Sequence, residues 1–388
     1  MNIVQVVRSL ELGGLERVAL DLAIAQKGAG HCVSIYSVYK HEPALLDEAE
    51  RAGLRVVQFN KQTGFSSRTL WSMARHLRRD QVSILHTHNE LVHTYGVIAG
   101  RLAGVPCIVN TIHGTKGGKD SRLNRYRALL PWTDAVVTVS DETAAQFAAE
   151  RTRYRDRFYV IRNGIPVNRF AAFSAQPGSQ WPRIRLGTVA RLADVKDQAT
   201  LIQAFHIVQK INPQVELHIL GDGPLRPVLE SLSKRLELNR SITFHGASPK
   251  VAEFLSKLDV FILSSISEGL PIAVLEAMSA GLPIVSTRVG GICEVATEHE
   301  VAEYCMPSDP EALAHAIKSV LEPERMKVMG QTGQAIAQRS FTIQAMSKSY
   351  DSLYRTLLSE KSSYFTSLFP RWNLARGRRR RQPIRPKH

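Results

Sequence analysis

Two carboxylates, Glu268 and Glu276, lie eight positions apart in a stretch whose other residues suit a ligand site. An apolar strand is predicted at Val260–Leu263, and Pro271 and Gly281 suit the first position and the end of a helix that follows it. The start of such a helix offers backbone N–H groups and the positive end of a dipole to a phosphate. Carboxylates beside a phosphate can accept hydrogen bonds from the hydroxyl groups of a nucleotide sugar.

The unpaired N–H groups of this helix start are predicted to belong to Gly269, Leu270 and Ile272. A purely structural interpretation competes with the ligand site, because acidic residues are common in first helical turns. Under that alternative Glu268 is a helix-start charge and Glu276 lies on a solvated helix face. The spacing alone leaves both interpretations open.

Two cations upstream favour the ligand site. Arg191 follows a predicted strand, and Lys196 precedes a helix predicted to begin near Asp197, so both belong at the carboxyl edge of a parallel sheet. An arginine can bind two phosphate oxygens and a lysine adds a point charge, so the pair can neutralise a departing diphosphate without a metal. The alternative is a salt bridge of these cations with Glu276 or Asp194.

The order of these motifs resembles glycosyltransferase family 4, whose members have the GT-B fold and retain the anomeric configuration of the sugar. Further matching segments bring the resemblance to about residue 357; they are Gly13–Glu16, His113-Gly114, Asn163–Ile165, Ile219–Pro224 and Gly290–Glu294. The resemblance implies a metal-independent enzyme that needs no cofactor. Its donor would be a UDP- or GDP-linked sugar, and its acceptor a hydroxyl of a glycan or of a lipid-linked molecule.

The resemblance also implies roles for individual residues. The predicted catalytic residues are His113, Arg191, Lys196 and Glu268; the predicted donor-binding residues are Gly14, Gly269, Leu270, Glu276 and Gly221; and Glu16 is placed on the acceptor side. Purely structural interpretations stay open for three of them: His113 as a packed histidine, the Gly13-Gly14 pair as a turn, and Glu16 as a helix cap.

Three other histidines, His86, His88 and His93, raise the question of a metal site. Their spacing does not match the two-histidine zinc motif on a helix, and no acid or cysteine cluster joins them, so no metal is assigned. His86 and His88 occupy alternate positions of a predicted strand. We expect that they line the cleft.

Alternating strand and helix patterns predict an α/β protein with two Rossmann-like, doubly wound domains facing a cleft. The predicted units are an acceptor-side domain over 1–165, a nucleotide-sugar-binding domain over 166–342, a helix over 343–360 that crosses back to the first domain, and a flexible tail over 361–388. The four cysteines include no Cys-x-x-Cys pair and are interpreted as buried thiols in a reducing compartment.

The net charge of +15 is concentrated at the C-terminal end, where residues 361–388 contain nine basic residues and no acid. Aromatic and aliphatic residues are interleaved with the cations, which favours an anionic membrane surface as partner, through Arg376, Arg378, Arg379, Arg380 and Arg381. A solvated, disordered tail is the alternative. The opening strand pattern does not resemble a signal peptide, and no apolar run reaches 18 residues, so we expect a cytoplasmic protein, peripheral on the inner face of the cytoplasmic membrane.

The sequence leaves two rival functions open. The basic tail suggests a nucleic-acid-binding protein, but no nucleic-acid-binding module is recognised, so no nucleic acid is expected. A nucleotide-sugar epimerase of the same fold would share the donor site. The sequence contains no Asp-x-Asp, no Walker loop and no complete Gly-x-Gly-x-x-Gly, which disfavours metal-dependent transferases of the other major fold and dinucleotide-dependent redox enzymes.

Overall fold

Parallel strands form two sheets in the computed structural model of the chain, which describes residues 1–39, 44–62, 64–114, 127–148, 154–172 and 183–368. The first sheet contains β1 (Asn2–Val7), β2 (Cys32–Tyr39), β3 (Arg55–Lys61), β4 (Ile84–His88), β5 (Cys107–Ile112), β6 (Ala135–Thr138) and β7 (Phe158–Val160). The second contains β8 (Ile184–Val189), β9 (Val215–Leu220), β10 (Ile242–Gly246), β11 (Val260–Leu263), β12 (Ile284–Thr287) and β13 (Ala302–Cys305).

Helices connect successive strands in both halves. In the first half these are α1 (Gly14–Gly28), α2 (Ala44–Arg51), α3 (Ser67–Arg79), α4 (Glu90–Ala103), α5 (Asp141–Ala148) and, after the last strand, α6 (Val167–Ala171). The second half contains α7 (Gln198–Ile211), α8 (Arg226–Arg235), α9 (Val251–Leu255), α10 (Ile272–Ser279), α11 (Ile292–Val295), α12 (Pro310–Val320), α13 (Pro323–Ser340) and α14 (Ile343–Leu368).

The strand orders are β3-β2-β1-β4-β5-β6-β7 and β10-β9-β8-β11-β12-β13, and every named pair is parallel. This confirms the predicted fold class of two Rossmann-like domains. Parallel strands need helical crossovers on both faces, which explains why β5 is buried along its whole length. The carboxyl ends of the central strands of both sheets face each other across a cleft, where open α/β folds bind ligands.

Strand β13 was not predicted. It has four residues, and its apolar pattern is interrupted by Glu303, whose side chain is buried and paired with Arg325. A short edge strand with an inward-facing carboxylate carries little periodic signal. Its position therefore depends on tertiary contacts.

The long helix α14 packs against the N-terminal sheet. Its residues Met346, Tyr350 and Tyr354 belong to the same buried cluster as β1, β2 and β5. The Tyr354 hydroxyl lies 2.7 Å from His86 Nδ1, and the Tyr350 hydroxyl lies 2.8 Å from Thr111 Oγ1. These buried polar contacts anchor a helix from the end of the chain to the first domain.

Helix α14 runs past position 360, where the sequence predicted the helix to end, and continues to Leu368. Lys361, one of the basic residues counted in the predicted tail, forms an ion pair of 2.6 Å with Asp134 of the N-terminal domain. The cluster Arg376–Arg381 lies outside the described residues. Among the described helices, none combines the length and the hydropathy that a membrane span requires.

Two further expectations need correction. Pro271 is not the first helical residue but precedes α10 in an extended conformation, with φ of −69° and ψ of 122°. Of the four cysteines, Cys107 and Cys305 are buried, whereas Cys32 and Cys293 are exposed. The burial of a thiol at a strand start or a short helix depends on which neighbours cover it, and the local sequence does not contain that information.

Candidate active site

The cleft between the domains has a volume of about 720 Å³ and brings most of the predicted site residues together. It is lined by nine of the ten: Gly14, Glu16, His113, Arg191, Lys196, Gly221, Glu268, Leu270 and Glu276. The tenth, Gly269, packs against the backbone of His113. Residues from both sheets therefore meet at one place.

Lys196 and Glu268 form an ion pair in the cleft. Ser265 Oγ donates a 2.6 Å hydrogen bond to the same carboxylate oxygen, Glu268 Oε1, and Ser264 Oγ donates to the Lys196 carbonyl at 2.9 Å. The expected alternative partners of Lys196, Glu276 and Asp194, are therefore wrong. The contacts hold the cation and the carboxylate side by side, with Glu268 Oε2 facing no hydrogen-bond donor in the described chain.

Arg191 follows β8 and is exposed to the cleft. Its backbone is held by Gln198 Nε2, which donates to the Arg191 carbonyl at 3.0 Å. No carboxylate of the described residues lies within ion-pair distance of its guanidinium. Gly221 packs beside this turn with φ of 144°, and a Cβ there would lie 1.9 Å from the Ala190 carbonyl oxygen. The backbone arrangement that presents Arg191 thus requires glycine at position 221.

Glu276 is buried, with 5% of its surface exposed, although it lines the cleft. Burial, and secondarily the Asp21 carboxylate, raises the pKa of Glu276 to about 7, while Arg17 and Arg169 oppose the shift. None of the described side chains donates a hydrogen bond to it. The alternative that Glu276 lies on a solvated helix face is wrong, because the side chain is buried. A buried carboxyl that accepts no hydrogen bond from the described side chains is available to a ligand hydroxyl.

The N-terminus of α10 points toward the same cleft. As expected, the backbone N–H groups of Gly269, Leu270 and Ile272 have no acceptor among the residues that are described. Gly14, at the start of α1, lies opposite, and a Cβ at this position would be 3.4 Å from Ile272 Cγ1. Two helix starts therefore approach each other from the two domains, and both favour negative charge between them.

His113 lies at the end of a chain of side-chain hydrogen bonds. Gln5 Nε2 donates to Gln26 Oε1 at 2.8 Å, so Gln5 Oε1 accepts from His88 Nε2 at 2.8 Å. His88 Nδ1 is then an acceptor for His113 Nε2, 3.0 Å away. Burial lowers the pKa of His113 to about 4, so its ring is neutral at pH 7 and Nδ1 can accept a hydrogen bond.

The expectation that His86 and His88 line the cleft is wrong. Both are buried: His88 is behind His113, and His86 Nε2 lies 2.7 Å from Thr111 Oγ1. The periodicity of the strand correctly places the two histidines on one face. Whether that face of the sheet is covered by α14 depends on how the chain returns from the second domain. The local sequence pattern does not contain this information.

Glu16 lines the cleft and also serves the start of its own helix. Its carboxylate accepts a hydrogen bond from the Glu16 backbone N–H, and a Cβ at Gly13 would lie 2.4 Å from Glu16 Oε2. Burial raises the pKa of Glu16. Both interpretations of this residue, helix cap and cleft residue, are compatible with its position.

Glu294 has a positional role that the sequence did not suggest. It belongs to the C-terminal domain, but its carboxylate accepts hydrogen bonds from the backbone N–H groups of Asp141 and Glu142 at 3.1 and 2.9 Å. Arg162 donates to it at 3.1 Å. Glu294 thus caps α5 of the other domain and lowers the freedom of the two domains to separate on that side of the cleft.

Two family models match the chain. A model described as glycosyl transferases group 1 matches residues 172–336, and a model described as glycosyltransferase family 4 matches residues 12–169. Together they match more than half of the chain, and their limits place one model on each side of the cleft.

Several curated proteins are similar to this chain over part of their length. EpsF of Bacillus subtilis, named as a glycosyltransferase, is 29% identical over 206 residues, which are 50% of this chain and 54% of EpsF. The N-acetyl-alpha-D-glucosaminyl L-malate synthase of Bacillus anthracis is 28% identical over 306 residues, 74% of this chain and 78% of that protein. An Escherichia coli UDP-Gal:alpha-D-GlcNAc-diphosphoundecaprenol alpha-1,3-galactosyltransferase is 26% identical over 254 residues, 60% of this chain and 65% of that protein.

Solved structures share the fold at lower identity. Anabaena HepE, in complex with UDP and glucose, has a TM-score of 0.79 at 19% identity, and the match covers 91% of this chain and 99% of HepE. The sucrose-phosphate synthase of Thermosynechococcus elongatus has a TM-score of 0.77 at 20% identity, with 93% and 100% covered. The arrangement of the two domains is therefore the GT-B arrangement.

Replacing Glu276 with glutamine is expected to change the pH dependence of stability. The pKa of Glu276 is about 7 in the folded protein and about 4.3 in an unfolded chain, so the folded state binds this proton more tightly. The stabilisation of the folded state by this bound proton is complete below pH ~4.3 and is lost as the pH rises through about 7. Relative to wild type, Glu276→Gln should therefore gain on the order of 1–3 kcal/mol of unfolding free energy between pH 5 and pH 8.

Urea unfolding at a series of pH values measures this difference. Glu300→Gln, at an exposed position, is the matched control and should follow the wild-type curve. If the wild-type and Glu276→Gln curves run parallel from pH 5 to pH 8, the buried carboxyl does not titrate as stated.

Proposed function

Because the chain belongs to glycosyltransferase family 4, we propose that it transfers a sugar from a UDP- or GDP-linked donor to a hydroxyl of a glycan or lipid-linked acceptor. The synthesis of a polysaccharide, lipopolysaccharide or glycolipid is the context in which we place it. The observation that carries the proposal is a pair of groups in one cleft that lack partners among the described residues. Arg191 has no carboxylate partner there, and Glu276 is buried and accepts no hydrogen bond. A diphosphate would pair with Arg191, and ribose hydroxyls would donate hydrogen bonds to Glu276.

In this proposal the diphosphate of the donor lies between the two helix starts. Arg191 and Lys196 stabilise the charge that develops on it, together with the N–H groups of Gly269 and Leu270. Glu276 accepts hydrogen bonds from the ribose, and Gly221 leaves room for the nucleotide. Glu268, oriented by Lys196 and Ser265, accepts from sugar hydroxyls through its remaining oxygen.

His113 is assigned to the sugar. Its neutral ring accepts a hydrogen bond from a sugar hydroxyl near the reacting carbon, and its carbonyl oxygen lies against Gly269. Because the pKa of His113 is about 4, the residue carries no charge that would compete with Arg191 for the diphosphate. Glu16, at the start of α1, faces the side from which an acceptor would enter.

We assign retention of configuration to the reaction. The acceptor hydroxyl attacks the anomeric carbon from the side of the leaving group; the bond to the phosphate oxygen breaks with its electron pair, and the hydroxyl proton passes to that oxygen. The coupling constant of the new anomeric proton in an NMR spectrum distinguishes retention from inversion. Arg191 and Lys196 supply the positive charge that a divalent cation would supply, so chelation with EDTA should leave the rate unchanged.

A thermal-shift panel of nucleoside diphosphates and their sugars tests the donor. A ligand at 100 times its dissociation constant adds ~2.7 kcal/mol to the unfolding free energy, so the correct donor should raise the melting temperature measurably. Nucleoside monophosphates are the control, because they lack the second phosphate that Arg191 would bind. If no nucleotide or nucleotide sugar shifts the melting temperature of folded protein, the proposal fails.

Replacing Arg191 with alanine should reduce turnover by on the order of 10²-fold or more. The loss of one preorganised hydrogen-bond donor that stabilises developing negative charge typically has an effect of this size. Melting temperature should change little, because the side chain has no ion-pair partner in the described structure. Arg235→Ala, an exposed arginine on α8 outside the cleft lining, is the matched control. Near-normal turnover of Arg191→Ala would contradict its role.

The two rival functions are not favoured by the family match. Incubation of the donor without an acceptor separates an epimerase from a transferase, because an epimerase changes the sugar whereas a transferase leaves it or slowly hydrolyses it. A transferase that uses a lipid-linked acceptor would work at a membrane surface. We therefore place the protein in the cytoplasm, peripheral on the inner face of the cytoplasmic membrane.

An exposed face of the N-terminal domain supports the membrane assignment independently of the tail. Along α3, Arg68, Trp71, Arg75 and Arg78 are spaced as one exposed stripe, and this helix contains no acidic residue. Trp71 is 64% exposed. Cations beside an exposed indole suit the interface of an anionic bilayer.

Truncation after Leu368 is expected to weaken binding to anionic vesicles, because it removes eight basic residues while leaving the ion pair between Lys361 and Asp134 intact. At roughly 1 kcal/mol per basic residue near the surface, the loss should exceed 10-fold. Flotation with phosphatidylserine vesicles measures it, and neutral vesicles are the control. Equal flotation of the full chain and the truncated chain would remove the tail from the proposal.

A further inference from the structure

We propose that a cationic and aromatic cluster beside the cleft binds a phosphate group of the acceptor. The cluster consists of Arg8, Tyr39, Lys61, Phe65 and Tyr95, and we call it the Lys61 cluster. It rests on the proposed function, since only a transferase needs an acceptor at this edge of the N-terminal sheet. The donor diphosphate is assigned to the space between the starts of α1 and α10, and Lys61 does not line that cleft, so the two sites are distinct.

Lys61 is the central observation. It ends β3, and only 5% of its surface is exposed, yet no carboxylate of the described residues lies within ion-pair distance of its ammonium group. Its Nζ donates to the Gln62 carbonyl at 2.7 Å and to the Tyr39 hydroxyl at 3.3 Å. Lysine is rarely buried without a paired charge, because desolvation of the ammonium is costly.

The rings of two tyrosines partly offset this cost. Lys61 Nζ lies 4.6 Å from the centre of the Tyr39 ring and 5.5 Å from that of Tyr95. Contacts of this kind stabilise a cation, but they do not neutralise it. An anion bound beside Lys61 would neutralise it.

Arg8 connects the cluster to the cleft. It follows β1, lines the cleft and is exposed, and its guanidinium carbon lies 5.6 Å from the centre of the same Tyr39 ring. The Arg8 carbonyl accepts a hydrogen bond from the Tyr39 N–H at 2.8 Å, which fixes the two strand ends together. The two cations therefore flank one ring, and the positive charge continues from the cleft to Lys61.

The chemistry of these groups favours phosphate on the acceptor. Two cations with no ion-pair partner among the described residues match a dianionic phosphate or a diphosphate, which a guanidinium and an ammonium bind through charge-assisted hydrogen bonds. Phe65 is 73% exposed and stacks on Tyr95 with ring centres 5.9 Å apart. Its exposed face can cover a sugar ring or the first carbons of a lipid. Two sources of the phosphate therefore fit, a soluble sugar phosphate and a lipid-linked sugar diphosphate, and the test separates them.

The test measures a second anion site while the donor site is filled. Full-length protein is saturated with UDP, or with GDP if the thermal-shift panel selects it, and inorganic pyrophosphate or farnesyl diphosphate is then titrated by calorimetry. Repetition at a higher UDP concentration excludes competition for the donor site. We expect saturable binding of both probes in wild type; tighter binding of farnesyl diphosphate would identify a lipid-linked source, and equal binding a soluble one.

Lys61→Met keeps the length of the side chain and removes its charge. It should weaken binding of both probes by about 10-fold or more, the weight of one charge-assisted hydrogen bond, without changing UDP affinity. Its melting temperature should equal or exceed that of wild type, because the change removes a buried cation that has no acid partner in the described part of the chain. Lys210→Met, at an exposed position on α7, is the matched control and should change neither value.

A second variant keeps the inference falsifiable if Lys61→Met does not fold. Arg8→Gln, at an exposed position, should also weaken both probes while retaining UDP binding. Failure of wild type to bind either UDP or GDP would contradict the proposed function, whereas nucleotide binding without a second anion site would contradict this inference alone. Unchanged probe affinity in the variants, or a lower melting temperature of Lys61→Met with unchanged affinity, would make Lys61 a structural residue and overturn the assignment.

Discussion

The contact between the His113 carbonyl and Gly269 joins the two domains at the backbone, and the cleft depends on it. A Cβ at Gly269 would lie 2.1 Å from the His113 oxygen, and one at Gly290 would lie 2.4 Å from the Glu268 oxygen. Only glycine allows this approach without a shift of the main chain. As a result, a strand end of the first sheet and the helix start of the second sheet share one site.

Charge in the cleft is arranged asymmetrically around that contact. On the C-terminal side Lys196 is paired with Glu268, whereas Arg191 has no carboxylate partner in the described structure. Glu276 is buried deeply enough that its pKa rises to about 7. One cation is thus held in place by a carboxylate and another remains available, which lets the site both fix its geometry and receive an anion.

A layer of neutral polar side chains supports the catalytic face from behind. Gln5 and His88 orient His113, and His86 connects the same layer to Tyr354 on the helix that returns from the second domain. Buried polar groups of this kind are costly unless each finds a partner, so they rigidify the arrangement when all are satisfied. The position of His113 therefore depends on the last described helix as well as on its own strand.

The sequence by itself determined the two parallel sheets, most strand positions, and the set of residues that meet at the cleft. Strand periodicity and helix boundary residues such as Asp197 and Gly281 act locally, so they can be recognised in the sequence without a structure. Only the tertiary structure decided the partner of Lys196, the burial of Glu276, the cap that Glu294 provides to α5, and the lack of an acid partner for Lys61 among the residues that are described. Each of these depends on which groups from distant parts of the chain pack against a residue. The local residue pattern does not specify those groups, so it specifies neither burial nor pairing.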